Sequence, residues 1–182
     1  KSGEAVQALG GFQRPLGARL VPGDTAYVAE FDLGRIVRVR PTPDSRPAVV
    51  ASRLAGPVDI IVTDPKSAFV TEMTSGQLTR IGLQSDSRKV VLKNLNRPQG
   101  LARLPDGRIA IVETGLHRII AVDLTGKHME VLAENIPVAT PVDSSPDFYA
   151  ALGLGGDGIL YLISDLQGTV VKLSPPRTRA KH

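Results

Sequence analysis

Apolar residues along the chain fall into four pairs of short runs, and each pair is joined by a turn. The first runs cover residues 26–30, 68–72, 109–113 and 160–164, and each ends in a polar residue. The second runs, with the turn residue that opens them, cover residues 34–39, 76–81, 117–122 and 168–173. Short runs with hairpin-sized gaps, and no sustained i, i+3, i+4, i+7 stripe, predict strands rather than helices. The pattern therefore predicts an all-β protein.

The third pair shows the complete repeating unit. Around it the sequence predicts strands at residues 101–104, 108–113, 118–124 and 128–133, the first two joined by a Pro-Asp-Gly turn. Four antiparallel strands in about 40 residues are typical of one β-propeller blade. The middle strands are apolar on both faces, as expected for a blade sandwiched between two others. Parallel strands are also covered on both faces, but the short hairpin gaps exclude them.

The two ends of the chain predict how the blades close into a ring. Residues 4–9 resemble the predicted fourth strands, whereas the last copy ends at Leu173 after its third strand. We expect the N-terminal strand to supply the fourth strand of the last blade, which would close a four-bladed propeller without an open edge. The alternative is that the four blades form part of a six-bladed ring.

Composition agrees with one compact domain and excludes several classes of function. The chain has 182 residues with 42% hydrophobic content, and we expect a single domain over residues 1–174 and a disordered, basic, Pro-rich tail over residues 175–182. The net charge is only +4 and the basic residues are dispersed, so nucleic-acid binding is not expected. No stretch approaches the ~20 apolar residues of a membrane span. Cysteine is absent, which excludes disulfides and thiol chemistry. The composition does not determine the cellular location of the protein, although a secreted or periplasmic location is favoured over a cytoplasmic one.

The third copy also carries the residues of a family resemblance. The Pro-Gln-Gly at residues 98–100, the Pro-Asp-Gly-Arg at 105–108 and the segment 131–137 resemble a blade of the senescence marker protein-30/gluconolactonase and strictosidine synthase-like propellers. Blades of NHL-repeat proteins and streptogramin lyases are similar. The pattern recurs from Pro15 and from Pro57, so the resemblance covers nearly the whole chain. It implies a divalent metal on the central axis, usually calcium, and lactonase, esterase-like or lyase activity.

In this resemblance the metal ligands come from the starts of the inner strands. The position after the strand-opening proline holds Leu16, Val58, Gln99 and Asp147. Only Gln99 and Asp147 can coordinate a metal, and Asp59 is a third candidate. Calcium takes six or more oxygen ligands, so backbone carbonyls and waters would have to complete the site. The alternative is that these side chains only bind loop backbone.

The histidines do not support hydrolase or lyase chemistry. The resemblance places the histidine of streptogramin lyases at the Pro-x-Gly position, where this chain has Leu16 or Gln99, so a proton acceptor is missing there. His182 lies in the tail and His128 in a predicted outer strand. His117 replaces the glycine of the other copies in the turn between the second and third strands, where we expect a left-handed backbone.

Three glutamates recur at the end of the second strand of the first three copies, namely Glu30, Glu72 and Glu113. They could form a ring of carboxylates that binds a cation or acts in acid/base chemistry. Alternatively, each carboxylate accepts hydrogen bonds from the backbone of the following turn. Repetition favours the structural role, because chemistry needs a residue once whereas architecture needs it in every blade.

Residues 137–149 interrupt the repeat and are the best candidate contact surface. An insertion between an outer strand and the next inner strand emerges on the face where such propellers bind ligands. We therefore expect Asp147, Phe148, Tyr149 and the neighbouring Gln99 to contact a ligand. The sequence predicts a binding or interaction module for a small molecule or a protein at the top of the central channel. The alternative is a calcium-dependent lactonase or esterase-like hydrolase, and whether the chain is an enzyme stays open.

Overall fold

The structure is a computed structural model that describes residues 10–40, 42, 45–139, 149–164 and 168–173. Within these ranges the regular structure is β, apart from one 3₁₀ turn at Thr114–Leu116, which confirms the all-β prediction. The first blade contains β1 (Pro15–Val21), β2 (Thr25–Glu30), β3 (Arg35–Val39) and β4 (Ala48–Ala51). The second contains β5 (Pro57–Asp64), β6 (Ser67–Glu72), β7 (Gln77–Gly82) and β8 (Arg88–Leu92). The third contains β9 (Pro98–Arg103), β10 (Ile109–Glu113), β11 (Arg118–Val122) and β12 (Met129–Glu134), and the fourth contains β13 (Ala151–Leu154), β14 (Leu160–Ser164) and β15 (Thr169–Leu173).

The four sheets are the blades of a propeller, as predicted. Every described strand pairs antiparallel with its neighbour in chain order. The inner strands β1, β5, β9 and β13 pack side by side in that order. Among the described strands, β13 and β1, which lie at the two ends of this row, do not pack side by side in the same way. The predicted closing strand at residues 4–9 and the predicted tail at residues 175–182 lie outside the described residues.

The core lies between the blades, which explains why the middle strands lack alternation. In β10, Ile109 and Ile111 pack into the cluster shared with the second blade, whereas Ala110 and Val112 pack into the cluster shared with the fourth. All four side chains are fully buried. Both faces of a middle strand therefore need apolar residues.

Each blade has two ends, which we name by their connections. The hairpin face carries the turns that join first to second strands and third to fourth strands. The linker face carries the turns between second and third strands, together with the linkers that lead from one blade to the next. On the linker face, His117 adopts the predicted left-handed conformation with φ 49°, beside φ values of 57° at Gly34 and 62° at Gly76 in the corresponding turns. Its carbonyl accepts the Ile136 N–H at 2.9 Å, as the Gly34 carbonyl accepts the Leu54 N–H at 2.9 Å.

Neighbouring inner strands approach each other so closely that glycine is required. A Cβ at Gly17 would lie 2.5 Å from the Val58 carbonyl oxygen, and a Cβ at Gly100 would lie 2.5 Å from the Ala150 carbonyl oxygen. Both contacts are with backbone atoms of the next inner strand or its approach, so no side-chain rotation relieves them. Glycine at these points lets the blades meet around the axis.

We expect Gly100→Ala to lower the free energy of unfolding by about 1–3 kcal/mol, because an overpacked core position must displace its neighbours. The matched control is Gly153→Ala, since a Cβ at that inner-strand position meets nothing within 4 Å. Urea unfolding of both variants measures the difference. Equal stabilities would show that the inner strands separate without cost.

Candidate functional site

The recurring glutamates lie on the linker face and are fully engaged with the scaffold. Glu30 Oε1 accepts the Gln13 N–H at 2.7 Å, and its Oε2 accepts Arg35 Nε at 2.5 Å. Glu113 repeats this arrangement, with the Asn96 N–H at 2.8 Å and Arg118 Nε at 2.7 Å. Both carboxylates are fully buried. Each glutamate therefore joins the linker ahead of its blade to the third strand of the same blade.

These contacts differ in one respect from the sequence interpretation. The backbone donors belong to the linker before the first strand, 17 residues earlier, rather than to the following turn. The reason is antiparallel pairing, which brings the end of β2 beside the start of β1, with Pro15 opposite Glu30. Burial raises the pKa of Glu30, but the hydrogen bonds from Arg35 and Gln13, together with the Arg35 charge, hold it below its usual value.

Glu72 has a different set of partners. Its Oε2 accepts the Ala55 N–H at 2.6 Å, as in the other copies, but its Oε1 accepts the Thr79 hydroxyl. Gln77 occupies the place of the pairing arginine of the other two blades. The backbone fastening is therefore common to all three blades, whereas the ion pair is present in two.

Asp59 on β5 lies at the junction of three inner strands. It is 4% exposed. Its Oδ1 accepts the Ile60 N–H at 2.8 Å and lies 3.9 Å from Nη2 of Arg19 on β1, while its Oδ2 accepts the Leu101 N–H of β9 at 2.8 Å. The Tyr149 side chain also forms a hydrogen bond with Asp59. The contacts to this carboxylate within the described part of the chain come from donors, so Asp59 binds the inner strands together.

The pKa values of this cluster follow from burial. Burial raises the pKa of Asp59 above its usual value, and the Leu101 N–H, the Arg19 charge, the Ile60 N–H and Tyr149 only partly oppose this rise. Burial, and then the negative charge of Asp59, raise the pKa of the Tyr149 hydroxyl well above its usual range. Tyr149 therefore stays neutral and acts as a hydrogen-bond donor.

Gln99 on β9 connects the second, third and fourth blades and is fully buried. Its Oε1 accepts the Ala150 N–H at 2.7 Å, and its Nε2 lies 3.7 Å from the Met73 sulfur. Its backbone carbonyl accepts the Thr71 hydroxyl at 2.7 Å, and the same hydroxyl accepts the Asp59 N–H at 3.2 Å. We refer to Arg19, Asp59, Thr71, Gln99 and Tyr149 as the axial network.

In the fourth blade, the residue that corresponds to Gln99 is not the one that the sequence predicts. Leu101 and Leu152 pair with corresponding residues of their second strands. Gln99 therefore corresponds to Ala150, and not to Asp147, in the fourth blade. The sequence could not show this, because the insertion shifts the start of β13. Asp147 and Phe148 lie outside the described residues.

The described residues do not fit a calcium site. The oxygens of Asp59 and the side-chain oxygen of Gln99 are occupied by N–H donors of the scaffold, and Asp59 also lies beside the cationic Arg19. The register positions that correspond to Gln99 hold Leu16, Val58 and Ala150, which offer no side-chain oxygen. No group of three or more His, Asp or Glu side chains able to hold a metal occurs within the part of the chain that the structure describes. Calcium would therefore have to displace scaffold hydrogen bonds.

Sequence reasoning found Asp59, Gln99 and Tyr149 but missed Arg19 and Thr71. Neither of these two residues recurs at its register position in the other blades, and neither belongs to a motif. Their role becomes visible only when three blades are placed around the axis. The described part of the chain also contains no helix that is long and apolar enough to cross a membrane.

Comparison with known proteins supports the propeller resemblance. No protein-family model matches the chain. The chain is similar to the adipocyte plasma membrane-associated protein of Danio rerio, with 28% identity over 153 residues, which are 68% of this chain and 37% of that protein. The chain thus spans little more than a third of this curated relative.

Two solved structures show the same fold. Virginiamycin B lyase from Staphylococcus aureus matches with a TM-score of 0.60 and 18% identity, covering 90% of this chain and 56% of the lyase. A chain of a nidogen/laminin complex matches with a TM-score of 0.66 and 14% identity, covering 88% of this chain and 75% of that chain. The resemblance to the senescence marker protein-30-like and NHL-repeat propellers is thereby confirmed at the level of the fold.

Proposed function

We propose that this propeller is a binding or interaction module that engages a small ligand or a protein at the linker face of its central channel. The observation that carries the proposal is the saturation of the axial network. Asp59 and Gln99 are the residues that the resemblance would assign to a metal. Asp59 accepts backbone N–H groups from Ile60 on its own strand and from Leu101 of the third blade, and Gln99 accepts the Ala150 N–H at the start of the fourth blade. Groups held in this way stabilise the scaffold and leave recognition to other residues.

The insertion is the segment through which the module would recognise its ligand. Ile136, which precedes it, and Val138 at its start are buried in the cluster between the third and fourth blades. At its end, Tyr149 is bonded to Asp59, and the N–H of the following Ala150 is bonded to Gln99. Both described ends of the insertion are therefore fixed beside the inner strands, at the linker face. We propose Asp147 and Phe148 as the contacting side chains, with Tyr149 and Gln99 as their support.

The proposal is tested first against calcium-dependent hydrolysis. We expect millimolar calcium to leave the melting temperature unchanged, because specific binding would raise it. We also expect no calcium-dependent hydrolysis of aryl esters or small lactones. A calcium-induced rise in melting temperature that disappears with a chelator and in Asp59→Asn would contradict the assignment of the axial network, and lactone turnover would favour the hydrolase.

The binding surface is tested with matched variants on the two faces. A panel of small organic acids, esters, lactones and sugars is screened for members that raise the melting temperature. We expect that stabilisation to be lost in Phe148→Ala and retained in Leu124→Ala, which truncates an exposed apolar residue on the hairpin face. A panel without a stabilising member, or stabilisation that survives Phe148→Ala, would contradict the small-ligand form of the proposal.

A further inference from the structure

The first blade carries two arginines on either side of a tyrosine, on the face turned toward the second blade. Tyr27 of β2 pairs with Arg19 of β1 on one side and with Arg38 of β3 on the other. Directly opposite residues of antiparallel strands lie on the same face, with Cβ atoms about 5 Å apart. Tyr27 is 7% exposed and belongs to the core cluster between the two blades. The sheet register therefore places a guanidinium group on each side of a fixed aromatic ring.

This row forms one wall of an open groove on the hairpin face. The groove has a volume of about 570 Å³, and its opposite wall includes Val62, Thr63 and Pro65 of the second blade. Val21, two residues after Arg19 on β1 and so on the same face, adds an apolar side chain to the first wall. Because β1 ends, β2 begins and β3 ends here, the groove lies at the opposite end of the blades from Ala139 and Tyr149, the described residues that flank the insertion's residues 140–148. It is therefore separate from the surface proposed above.

Within the described residues, two of the groove's arginines have no acidic partner. Arg38 and Arg40 line the groove, both are exposed, and neither side chain has a hydrogen bond or ion pair with the described part of the chain. Arg19 donates Nε to the Ile60 carbonyl at 3.2 Å and lies 3.9 Å from Asp59, and its side chain is 37% exposed.

The acidic lining residue of the groove among those described, Asp64, is already occupied. It accepts the Lys66 N–H at 2.8 Å and the Ser67 hydroxyl at 2.5 Å, and it lies 3.8 Å from Arg80. These contacts hold the pKa of Asp64 below its usual value, so it stays ionised and turned toward its own partners. It does not pair with the arginines of the first blade.

The same register row in the other blades shows that the propeller does not require these arginines. In the second blade the row is Ile61, Phe69 and Arg80. There Arg80 lies 6.0 Å from the ring centroid of Phe69 and is paired with Asp64 and Ser67. In the third blade the row consists of three alanines, at positions 102, 110 and 121. In the fourth blade the row is Gly153, Tyr161 and Lys172. The pair of arginines around a tyrosine is therefore a property of the first blade and not of the repeat.

We propose that this groove binds a small amphipathic oxyanion, that is, a carboxylate, phosphate ester or sulfate ester attached to an apolar body. Planar guanidinium groups bind such oxyanions through paired hydrogen bonds, which supports a head group held between Arg38 and Arg40 with a third contact to Arg19. The apolar body lies along Val21, Tyr27 and Val62, which line the groove.

The test is calorimetric titration of the full chain with octyl phosphate, which combines both features of the proposed ligand. We expect one saturable site whose affinity falls with ionic strength and falls about tenfold or more in Arg38→Gln and in Arg40→Gln. Both arginines are exposed, so unfolding is not expected, and the melting temperature of each variant checks this. The charge-matched control is Lys127→Gln, an exposed substitution on the hairpin face of the third blade, which should leave the affinity within about twofold.

Two further probes separate the head group from the apolar body. Octyl glucoside, which lacks the charge, and inorganic phosphate, which lacks the apolar body, should each bind at least about tenfold more weakly than octyl phosphate. Equal loss in Arg38→Gln and Lys127→Gln would overturn the site, as would equal affinity for octyl glucoside. Phosphate binding as tightly as octyl phosphate would overturn the amphipathic character. Because the two surfaces lie on opposite faces, none of these outcomes depends on the insertion.

Discussion

Replacing Asp59 with alanine is expected to lower the free energy of unfolding by about 2–4 kcal/mol, because the change leaves buried donors without an acceptor. The Leu101 N–H loses its bond across the junction between the second and third blades, and Tyr149 loses its hydrogen-bond partner. The two losses affect three blades together. Chemical denaturation followed by far-UV circular dichroism measures the effect.

Two variants distinguish this mechanism from a simple loss of packing. Asp59→Asn keeps the shape but turns an NH₂ group toward a donor, so it should also destabilise the protein. Tyr149→Phe removes one donor and should cost only about 1 kcal/mol. A double-mutant cycle between Asp59→Ala and Tyr149→Phe should show coupling, since the residues share a hydrogen bond. Additive losses, or a stable Asp59→Asn variant, would contradict the donor-saturated carboxylate described above.

Replacing Glu30 with alanine is expected to cost about 2–3 kcal/mol, because it leaves Arg35 without its buried partner and the Gln13 N–H without an acceptor. The matched control is Glu72→Ala. Glu72 has no arginine partner among the described residues, and its second oxygen accepts the neutral Thr79 hydroxyl instead. We therefore expect a smaller loss for Glu72→Ala, and an equal loss would show that the Arg35 pair contributes nothing.

The same glutamate gives a pH dependence of known sign. The folded-state pKa of Glu30 lies below its usual value, so its ionised form stabilises the folded protein above the unfolded-state pKa. This contribution is lost as the pH falls through the folded-state pKa. Glu30→Gln cannot titrate there, so the difference in stability between the wild type and Glu30→Gln should shrink on acidification. A difference that does not change with pH would contradict the ion pair.

The strand pattern was predictable because each strand and turn of the repeat depends on residues that are close together in the sequence. Proline, glycine and aspartate mark the turns, and apolar runs between them mark strands that are buried on both faces. His117 shows how far this reasoning reaches, since its left-handed backbone followed from comparison with three glycines. Local chemistry and tertiary structure agree at such positions.

The axial network was predictable only in part, because it depends on distances between blades. Asp59 stood out as a carboxylate near a strand start, but its bond to Leu101 joins residues 42 apart in sequence. The shift from Asp147 to Ala150 also escaped the sequence, since an insertion hides the register of the strand that follows it. The glutamates were recognised as structural candidates, while their bonds to the preceding linker required knowledge of the sheet pairing.

The glutamate fastenings also bear on how the protein moves. Each one closes a loop within a single blade, between residues 17 apart. A blade fastened in this way keeps its strand ends together when a neighbouring blade loosens. Cooperative opening would then proceed in units of one blade, as in other repeat architectures where contacts are made mainly to nearest neighbours. The repeated carboxylates thus give each of the first three blades a closure of its own, in addition to the contacts between blades.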